Sequence, residues 1–185
     1  MLHRTIHALR SLSRVSLLAS LALSAGCATY ALAAPSEPPI APFGPAPRQA
    51  ATVCVIRPSH WSLTATYVVH DDGQLVGGLK GESYFCYFAQ PGPHRIAVAR
   101  GDSPMAEAAI TTLHAVRGHR YWLEQRYDYT FGDQLGWIQE DRARDLIDGC
   151  TYKEIVDAPA DDAVPFGIPV APALAQAGVE PPETE

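Results

Sequence analysis

The chain has four cysteines, whose thiols could form disulfides, bind a metal or act as nucleophiles. They are Cys27, Cys54, Cys86 and Cys150. No two of them form a C-x-x-C pair, and none lies in one of the short sequences that mark catalytic cysteines in protease families. We therefore expect these thiols to serve structure or attachment rather than catalysis.

Histidine and aspartate side chains are the other candidates for chemistry, as metal ligands or as acid and base catalysts. The histidines after residue 50 are His60, His70, His94, His114 and His119. Their spacing matches no zinc motif such as H-E-x-x-H, and Asp71-Asp72 and Asp161-Asp162 are placed as turn and tail residues. His94 follows Pro91-Gly92 and is expected to bond backbone at a turn. The sequence thus predicts no metal site, no cofactor and no catalytic residue.

Aromatic residues crowd one late segment, and they are the only feature that suggests a binding surface. They are Tyr121, Trp122, Tyr127, Tyr129, Phe131 and Trp137. Rings along exposed strands stack on sugars or peptides, whereas rings inside a sandwich form the core, which we favour for most of them. Phe131 and Trp137 lie near Gly132-Asp133, in what is predicted to be a loop, and are the two that we expect to be exposed as a binding surface.

The N-terminus has the pattern of an export signal. Several basic residues precede a short apolar run at 15–23, which is shorter than the roughly 20 residues that span a bilayer. The following Ser24-Ala25-Gly26-Cys27 resembles the lipobox of bacterial lipoproteins. This resemblance implies that Cys27 is acylated and becomes the first mature residue, so that several acyl chains anchor the protein in a membrane. The alternative is ordinary secretion, with cleavage after Ala31-Leu32-Ala33.

Lipoprotein processing and ordinary secretion predict different locations for the protein. By the same resemblance, Ala28 after the cysteine implies the outer membrane, with the protein facing the periplasm. Ordinary secretion would leave it periplasmic or secreted. Nucleic acid is not an expected partner in either case, because the net charge is −6 and no Lys or Arg cluster is present.

An acylated Cys27 would leave three cysteines, which predicts one disulfide and one spare thiol. We favour a bond between Cys86 and Cys150, which would contribute about 2 to 4 kcal/mol to stability. The alternative is three buried thiols that act as small apolar side chains.

Proline-rich flanks delimit a single domain. Residues 1–26 are interpreted as the lipoprotein signal peptide and residues 27–50 as the lipidated cysteine with a Pro/Ala-rich tether. Stretched as polyproline at about 3.1 Å per residue, this tether would span roughly 70 Å. Residues 51–157 form the predicted domain, and residues 158–185 an acidic, Pro-rich, disordered tail.

Short segments rich in β-branched and aromatic residues alternate with glycine and proline throughout this domain. Strands are predicted at 52–57, 63–70, 74–79, 84–88, 95–99, 107–113, 121–129 and 152–156. Asp71-Asp72-Gly73 predicts one hairpin turn, and Gln90-Pro91-Gly92-Pro93 predicts another that makes residues 81–98 a hairpin, around which the fold is built. The first arm of this hairpin has rings on both faces, which indicates a central strand covered on both sides.

One helix is predicted at 141–149, because Ala143, Leu146, Ile147 and Cys150 share a helical face. The predicted fold is therefore mainly β: an antiparallel β-sandwich of immunoglobulin or transthyretin type, with one short C-terminal helix and disordered Pro-rich flanks.

Four short motifs follow one another through the domain. They are Val53-x-Val55-x-Arg57-Pro58, Val76-Gly77-Gly78-Leu79, Gly81-x-x-Tyr84-Phe85 and Pro91-Gly92-x-His94. In this order they resemble a family of bacterial lipoproteins catalogued as a domain of unknown function. The resemblance covers about residues 52–156 and implies a sandwich-like domain with a short helix near its end, located in the cell envelope. It implies no activity.

The sequence predicts a non-enzymatic interaction or assembly module whose partner is an envelope protein or peptidoglycan. One alternative is a glycan or peptidoglycan binder that uses the late aromatic residues. Another is an envelope hydrolase that uses Cys54 or a histidine.

Overall fold

The computed structural model describes residues 29–59, 64–101, 103–157 and 164–165. Cys27, the signal peptide and nearly all of the predicted tail therefore lie outside the described residues. In the described ranges the chain forms strands and one helix. The strands are β1 (Thr29–Ala33), β2 (Ala51–Arg57), β3 (Thr66–Asp71), β4 (Gln74–Lys80), β5 (Ser83–Ala89), β6 (Gly92–Arg100), β7 (Ser103–Ala115), β8 (Arg120–Asp128), β9 (Gly132–Ile138), β10 (Thr151–Tyr152), β11 (Glu154–Asp157) and β12 (Val164–Pro165), and the helix is α1 (Glu140–Ile147). The prediction of a mainly β fold with one short helix is confirmed.

A five-stranded sheet has the order β10-β5-β2-β8-β9. Its central strand is β2, which is buried along its whole length, as expected of a strand covered on both faces. β2 pairs antiparallel with β5 but parallel with β8, so this sheet is mixed rather than purely antiparallel.

A four-stranded antiparallel sheet has the order β4-β3-β6-β7. β3 and β4 form the predicted hairpin, closed by Asp72 and Gly73 with φ of 49° and 80°. Two consecutive residues with positive φ form the turn type that matches the twist of a two-residue hairpin, and Asp-Gly is one of its preferred sequences.

The prediction that residues 81–98 form a hairpin is wrong. β5 belongs to the five-stranded sheet and β6 to the four-stranded sheet, so the chain crosses between sheets at Gln90-Pro91. Both edges of β5 are occupied by β2 and β10, and both edges of β6 by β3 and β7. The rings of the first arm are nevertheless largely buried, as predicted.

The two sheets face each other across the main core. Val53, Val55, Phe85, Tyr87 and Leu123 pack against the second sheet, and all of them belong to one buried cluster with Val69, Leu79, Ile96 and Val98. The approach is closest at Gly77, where an added Cβ would lie 2.1 Å from the Phe85 ring. Only glycine fits this position.

A small sheet of order β11-β1-β12 covers the other face of the four-stranded sheet. Leu32 of β1 lies against Gly78, where an added Cβ would be 2.8 Å from the Leu32 side chain. Val68, Leu75 and Ala99 form a second buried cluster on this side, with Ile155 of β11 packed against it.

The segment predicted to be a tether packs against the domain. Ile40 and Phe43 contact the core, and the Arg120 guanidinium donates hydrogen bonds to the carbonyl oxygens of Ala41 (2.7 Å) and Gly44 (2.6 Å). Trp122 stacks on Phe43 with ring centroids 6.2 Å apart. Proline makes this segment extended, but the apolar Ile40 and Phe43 stabilise it on the outer face of the five-stranded sheet.

α1 lies on the same outer face. It buries Ala143 and Ile147, and the Arg144 guanidinium lies 4.1 Å from the centre of the Phe43 ring. In the part of the chain that the structure describes, no helix has both the length and the hydropathy needed to cross a bilayer.

Candidate functional site

The structure joins Cys54 and Cys86 in a disulfide, so the predicted bond between Cys86 and Cys150 is wrong. Cys54 and Cys86 are directly opposed in the antiparallel pair of β2 and β5. Cys150 is a free thiol, and its Sγ donates a weak hydrogen bond to the carbonyl oxygen of Arg57. Among the described cysteines, the expected count of one disulfide and one spare thiol is confirmed.

The disulfide argues against Cys54 as the nucleophile of a hydrolase. Cys54 cannot act as a nucleophile while it is bonded to Cys86. Burial raises the pKa of the Cys150 thiol to about 11, with a smaller contribution from the charge of Glu82. A reactive cysteine needs a lowered pKa, because the thiolate is the nucleophile.

The β8–β9 hairpin exposes several rings at its tip. Tyr129 and Phe131 are 71% and 75% exposed, and Tyr127 is about half exposed. The Asp128 carboxylate accepts hydrogen bonds from the backbone N–H groups of Thr130 (2.7 Å) and Phe131 (3.0 Å). The side chain thus holds the backbone of the tip in one conformation, which presents these rings to solvent.

Trp137 lies in β9 and not in a loop as predicted, because β9 continues through the glycine-rich segment after residue 131. It is 37% exposed, so the prediction that Phe131 and Trp137 are exposed is confirmed. The Trp137 indole N–H donates to the carbonyl oxygen of Thr112 (3.2 Å), and its ring meets that of Tyr121 edge to face at 6.1 Å.

Phe131 and Trp137 do not lie at one spot. Trp137 pairs with Leu123, and Gly132, which follows Phe131, pairs with Asp128 at the other end of the hairpin. The Cα atoms of the two residues are six steps apart along an extended chain, which corresponds to about 20 Å. They therefore mark the ends of an elongated surface, named here the hairpin surface: Tyr127, Tyr129, Phe131 and Trp137.

Aspartate and histidine side chains that the sequence placed separately meet at one end of the four-stranded sheet. Asp71 ends β3, Asp72 begins the turn, and His94 lies near the start of β6. The His94 Nδ1 atom lies 2.9 Å from Asp71 Oδ1 and 3.6 Å from Asp72 Oδ2. Its Nε2 atom bonds the carbonyl oxygen of Gln90 at 2.6 Å, so the predicted backbone bond at the turn is confirmed.

These three side chains line a cavity of about 220 Å³ together with Tyr87, and this group of four is named here the polar pocket. Burial raises the pKa of Asp71, although the charge of His94 opposes this shift. Burial alone would lower the pKa of His94, but its bond to Gln90 and the Asp71 carboxylate raise it overall. Burial and the nearby Asp71 charge raise the pKa of Tyr87 well above its usual range.

Sequence reasoning missed the polar pocket for an identifiable reason. Asp71 and His94 are 23 residues apart, and they meet only because β3 and β6 pair in register, with Asp71 opposite Ile96. A hairpin of β5 and β6 would have taken one of the two edges of β6 that β3 and β7 occupy. The other described histidines, His70, His114 and His119, do not join this group.

Comparison with known proteins adds no further constraint. No family model, curated protein or solved structure matches this chain.

Proposed function

We propose that this protein is an exported envelope lipoprotein, anchored through Cys27 in the outer membrane and facing the periplasm, that acts as a non-enzymatic binding module. The lipobox-like Ser24-Ala25-Gly26-Cys27 supports the anchor, as does the resemblance of its four domain motifs to envelope lipoproteins. The bond between Cys54 and Cys86 supports export, because such bonds persist in oxidising compartments.

The position of β1 favours cleavage before Cys27 over ordinary secretion. Cleavage after Ala33 would remove all of β1 (Thr29–Ala33), and with it the strand that pairs with β11 and places Leu32 against Gly78. Cleavage before Cys27 keeps this strand. An acylated Cys27 would also lie only two residues before β1, so the anchor would hold the folded body close to the bilayer rather than at the end of a long tether.

The hairpin surface is the observation that carries the proposed binding role. Its large rings remain in water, while most aromatic side chains of β5 are buried in the core. Exposed aromatic groups arranged in one region of a surface mark interaction sites. The surface is elongated, which fits an extended polymer better than a compact small molecule.

A glycan strand of the envelope is the ligand class that this chemistry favours. Aromatic faces stack on the apolar faces of sugar rings, and the tyrosine hydroxyls supply polar groups at the same site. Peptidoglycan is the glycan that an outer-membrane protein facing the periplasm would meet.

Co-sedimentation with purified peptidoglycan sacculi tests the role. We expect the natural protein to sediment with sacculi and the double variant Phe131→Ala/Trp137→Ala to lose most of that binding. Ile110→Ala is the matched control, because Ile110 is about half exposed on β7 but lies outside the hairpin surface. Equal sedimentation of the double variant and the natural protein would overturn the proposed surface. Absence of binding together with a crosslinked envelope protein at the hairpin would replace the glycan by a protein ligand.

A further inference from the structure

The polar pocket contains three potential metal ligands of suitable type. The carboxylate oxygens of Asp71 and Asp72 and the Nδ1 atom of His94 all lie within 4.8 Å of one another. Two ligands that are each about 2.1 Å from a tetrahedral Zn²⁺ lie about 3.4 Å apart. The two separations at His94 Nδ1, 2.9 and 3.6 Å, bracket that value.

The backbone around the pocket fixes the orientation of these ligands. The Nε2 atom of His94 faces a carbonyl oxygen, which only accepts hydrogen bonds, so Nε2 carries a proton. In the neutral ring the lone pair is then on Nδ1 and is directed at the two carboxylates. A histidine that binds a metal through one nitrogen commonly donates the other N–H to a backbone carbonyl in this way.

Asp72 is held in place independently of His94. Its carboxylate Oδ1 accepts a hydrogen bond from the backbone N–H of Arg95 (2.9 Å), and its own N–H donates to the carbonyl oxygen of Arg95 (3.0 Å). Its Oδ2 atom therefore remains available on the side that faces His94.

Tyr87 provides a second and independent observation. Its side chain is 1% exposed and lines the same cavity, yet its hydroxyl makes no full hydrogen bond to any residue that the structure describes. The hydroxyl lies beside the Asp71 carboxylate and interacts with it, but the two groups do not reach full hydrogen-bond geometry. A buried hydroxyl without a partner is costly, and a water molecule bound to a metal in this cavity would supply one.

We propose that Asp71, Asp72 and His94 form a binding site for a divalent transition-metal cation of the Zn²⁺ class, whose remaining coordination position holds a water molecule beside Tyr87. The single imidazole ligand favours Zn²⁺ and similar cations over Mg²⁺ and Ca²⁺, which prefer oxygen ligands only. The site lies on the four-stranded sheet and the proposal does not depend on the hairpin surface or on acylation of Cys27.

The alternative is a structural ion pair, in which a protonated His94 bonds Asp71 and no metal binds. Isothermal titration of the full chain with ZnCl₂, and separately with MgCl₂, distinguishes the two. The protein must carry no polyhistidine tag. We expect one Zn²⁺ to bind per chain and Mg²⁺ to bind at least about tenfold more weakly. Absence of Zn²⁺ binding up to millimolar metal would establish the structural ion pair.

Asp72→Asn is the most informative variant. The amide oxygen can still accept the Arg95 N–H, and Asn tolerates the positive φ of 49° at this position, so the turn should be kept. The variant replaces the second carboxylate oxygen by an NH₂ group, which is not a metal ligand, and removes one negative charge, so we expect its Zn²⁺ affinity to fall at least about tenfold. Asp148→Asn, at an exposed position after α1, is the matched control and should bind as the natural protein does.

Two further variants test the proposed metal site in case Asp72→Asn folds poorly. His94→Gln should abolish Zn²⁺ binding, whereas His114→Gln should not change it, because His114 does not join the pocket. Tyr87→Phe should weaken Zn²⁺ binding severalfold without lowering the unfolding midpoint of the metal-free protein, since its hydroxyl makes no full hydrogen bond within the described part of the chain. Zn²⁺ binding that is equally strong in Asp72→Asn and His94→Gln would overturn the proposed site.

Discussion

Cys54 and Cys86 occupy directly opposed positions of β2 and β5 and are joined by a disulfide. The bond therefore links the central strand of the five-stranded sheet to its neighbour on the outer face of that sheet, where Cys54 lies beside Trp122. It closes a loop with a sequence separation of 32, which contains the whole β3–β4 hairpin.

Removal of this bond should destabilise the domain. We expect Cys54→Ser/Cys86→Ser to lower the free energy of unfolding by about 2 to 4 kcal/mol, because the reduced chain regains the conformational entropy of the closed loop. Urea unfolding followed by tryptophan fluorescence measures this change. Cys150→Ser is the control, and a loss of similar size in that variant would contradict the assigned pairing.

Alkylation kinetics test the environment of Cys150. A pKa raised from 9.0 to about 11 reduces the thiolate fraction at pH 8 by roughly 100-fold, since each pKa unit is a factor of ten. Iodoacetamide should therefore modify Cys150 roughly 100-fold more slowly in the folded protein than in urea. Mass spectrometry after timed quenching measures both rates, and equal rates would show that the thiol is not buried.

The same shift has a consequence for stability at high pH. Because the pKa of Cys150 is raised in the folded state, the unfolded chain loses this proton first as the pH rises above about 9. Stability contributed by the neutral thiol is thus fully present below pH 9 and is lost between about pH 9 and 11. The unfolding midpoint of Cys150→Ala should fall less steeply over this range than that of the natural protein.

Gly77 and Phe85 supply a test of the packing between the sheets. Gly77→Ala would place a methyl group 2.1 Å from the Phe85 ring, and a well-packed core that must move to admit it loses about 1 to 3 kcal/mol. Gly136→Ala is the matched control, because among the described residues none beyond its chain neighbours comes within 4 Å of the added Cβ, and its φ is not positive. Phe85→Leu should partly restore the stability of Gly77→Ala, and additive losses in the double variant would contradict a direct contact.

Much of the secondary structure follows from local sequence, but the pairing of strands does not. Asp72-Gly73 has few conformations other than a two-residue hairpin turn, and it forms one. Pro91-Gly92 also reverses the chain, but such a turn is compatible both with a hairpin within one sheet and with a crossing between two sheets. Which of the two forms depends on which strand edges are already paired, and that is decided by distant segments.

The wrong disulfide prediction and the missed polar pocket have the same origin. The bond between Cys54 and Cys86 follows from the register of β2 on β5, and the polar pocket follows from the register of β3 on β6. Neither register can be deduced from spacing along the chain. β9 was missed because Gly132 and Gly136 weaken its strand pattern, although pairing with β8 stabilises the strand in the folded domain.

β1 was missed for a related reason, and its presence leads to a prediction about the mature N-terminus. The five residues 29–33 directly follow the predicted lipidation site and precede a proline-rich segment, so they were assigned to the tether, yet Leu32 packs against Gly78 and the strand pairs with β11. If Cys27 is the first mature residue, this strand is retained. We expect the mature protein to incorporate a palmitate analogue, to fractionate with outer membranes, and to show the mass of a chain that begins at an acylated Cys27.

Cys27→Ser should prevent incorporation of the palmitate analogue and release the protein from the membrane fraction, because the acyl chains are its proposed attachment. Cys150→Ser provides the matched control and should leave labelling unchanged. A chain that begins at Cys27 should also unfold at a higher urea concentration than one that begins at Ala34, since the shorter chain lacks β1. A mature protein with an unmodified N-terminus at Ala34 and the same unfolding midpoint would contradict both the anchor and the structural role of this strand.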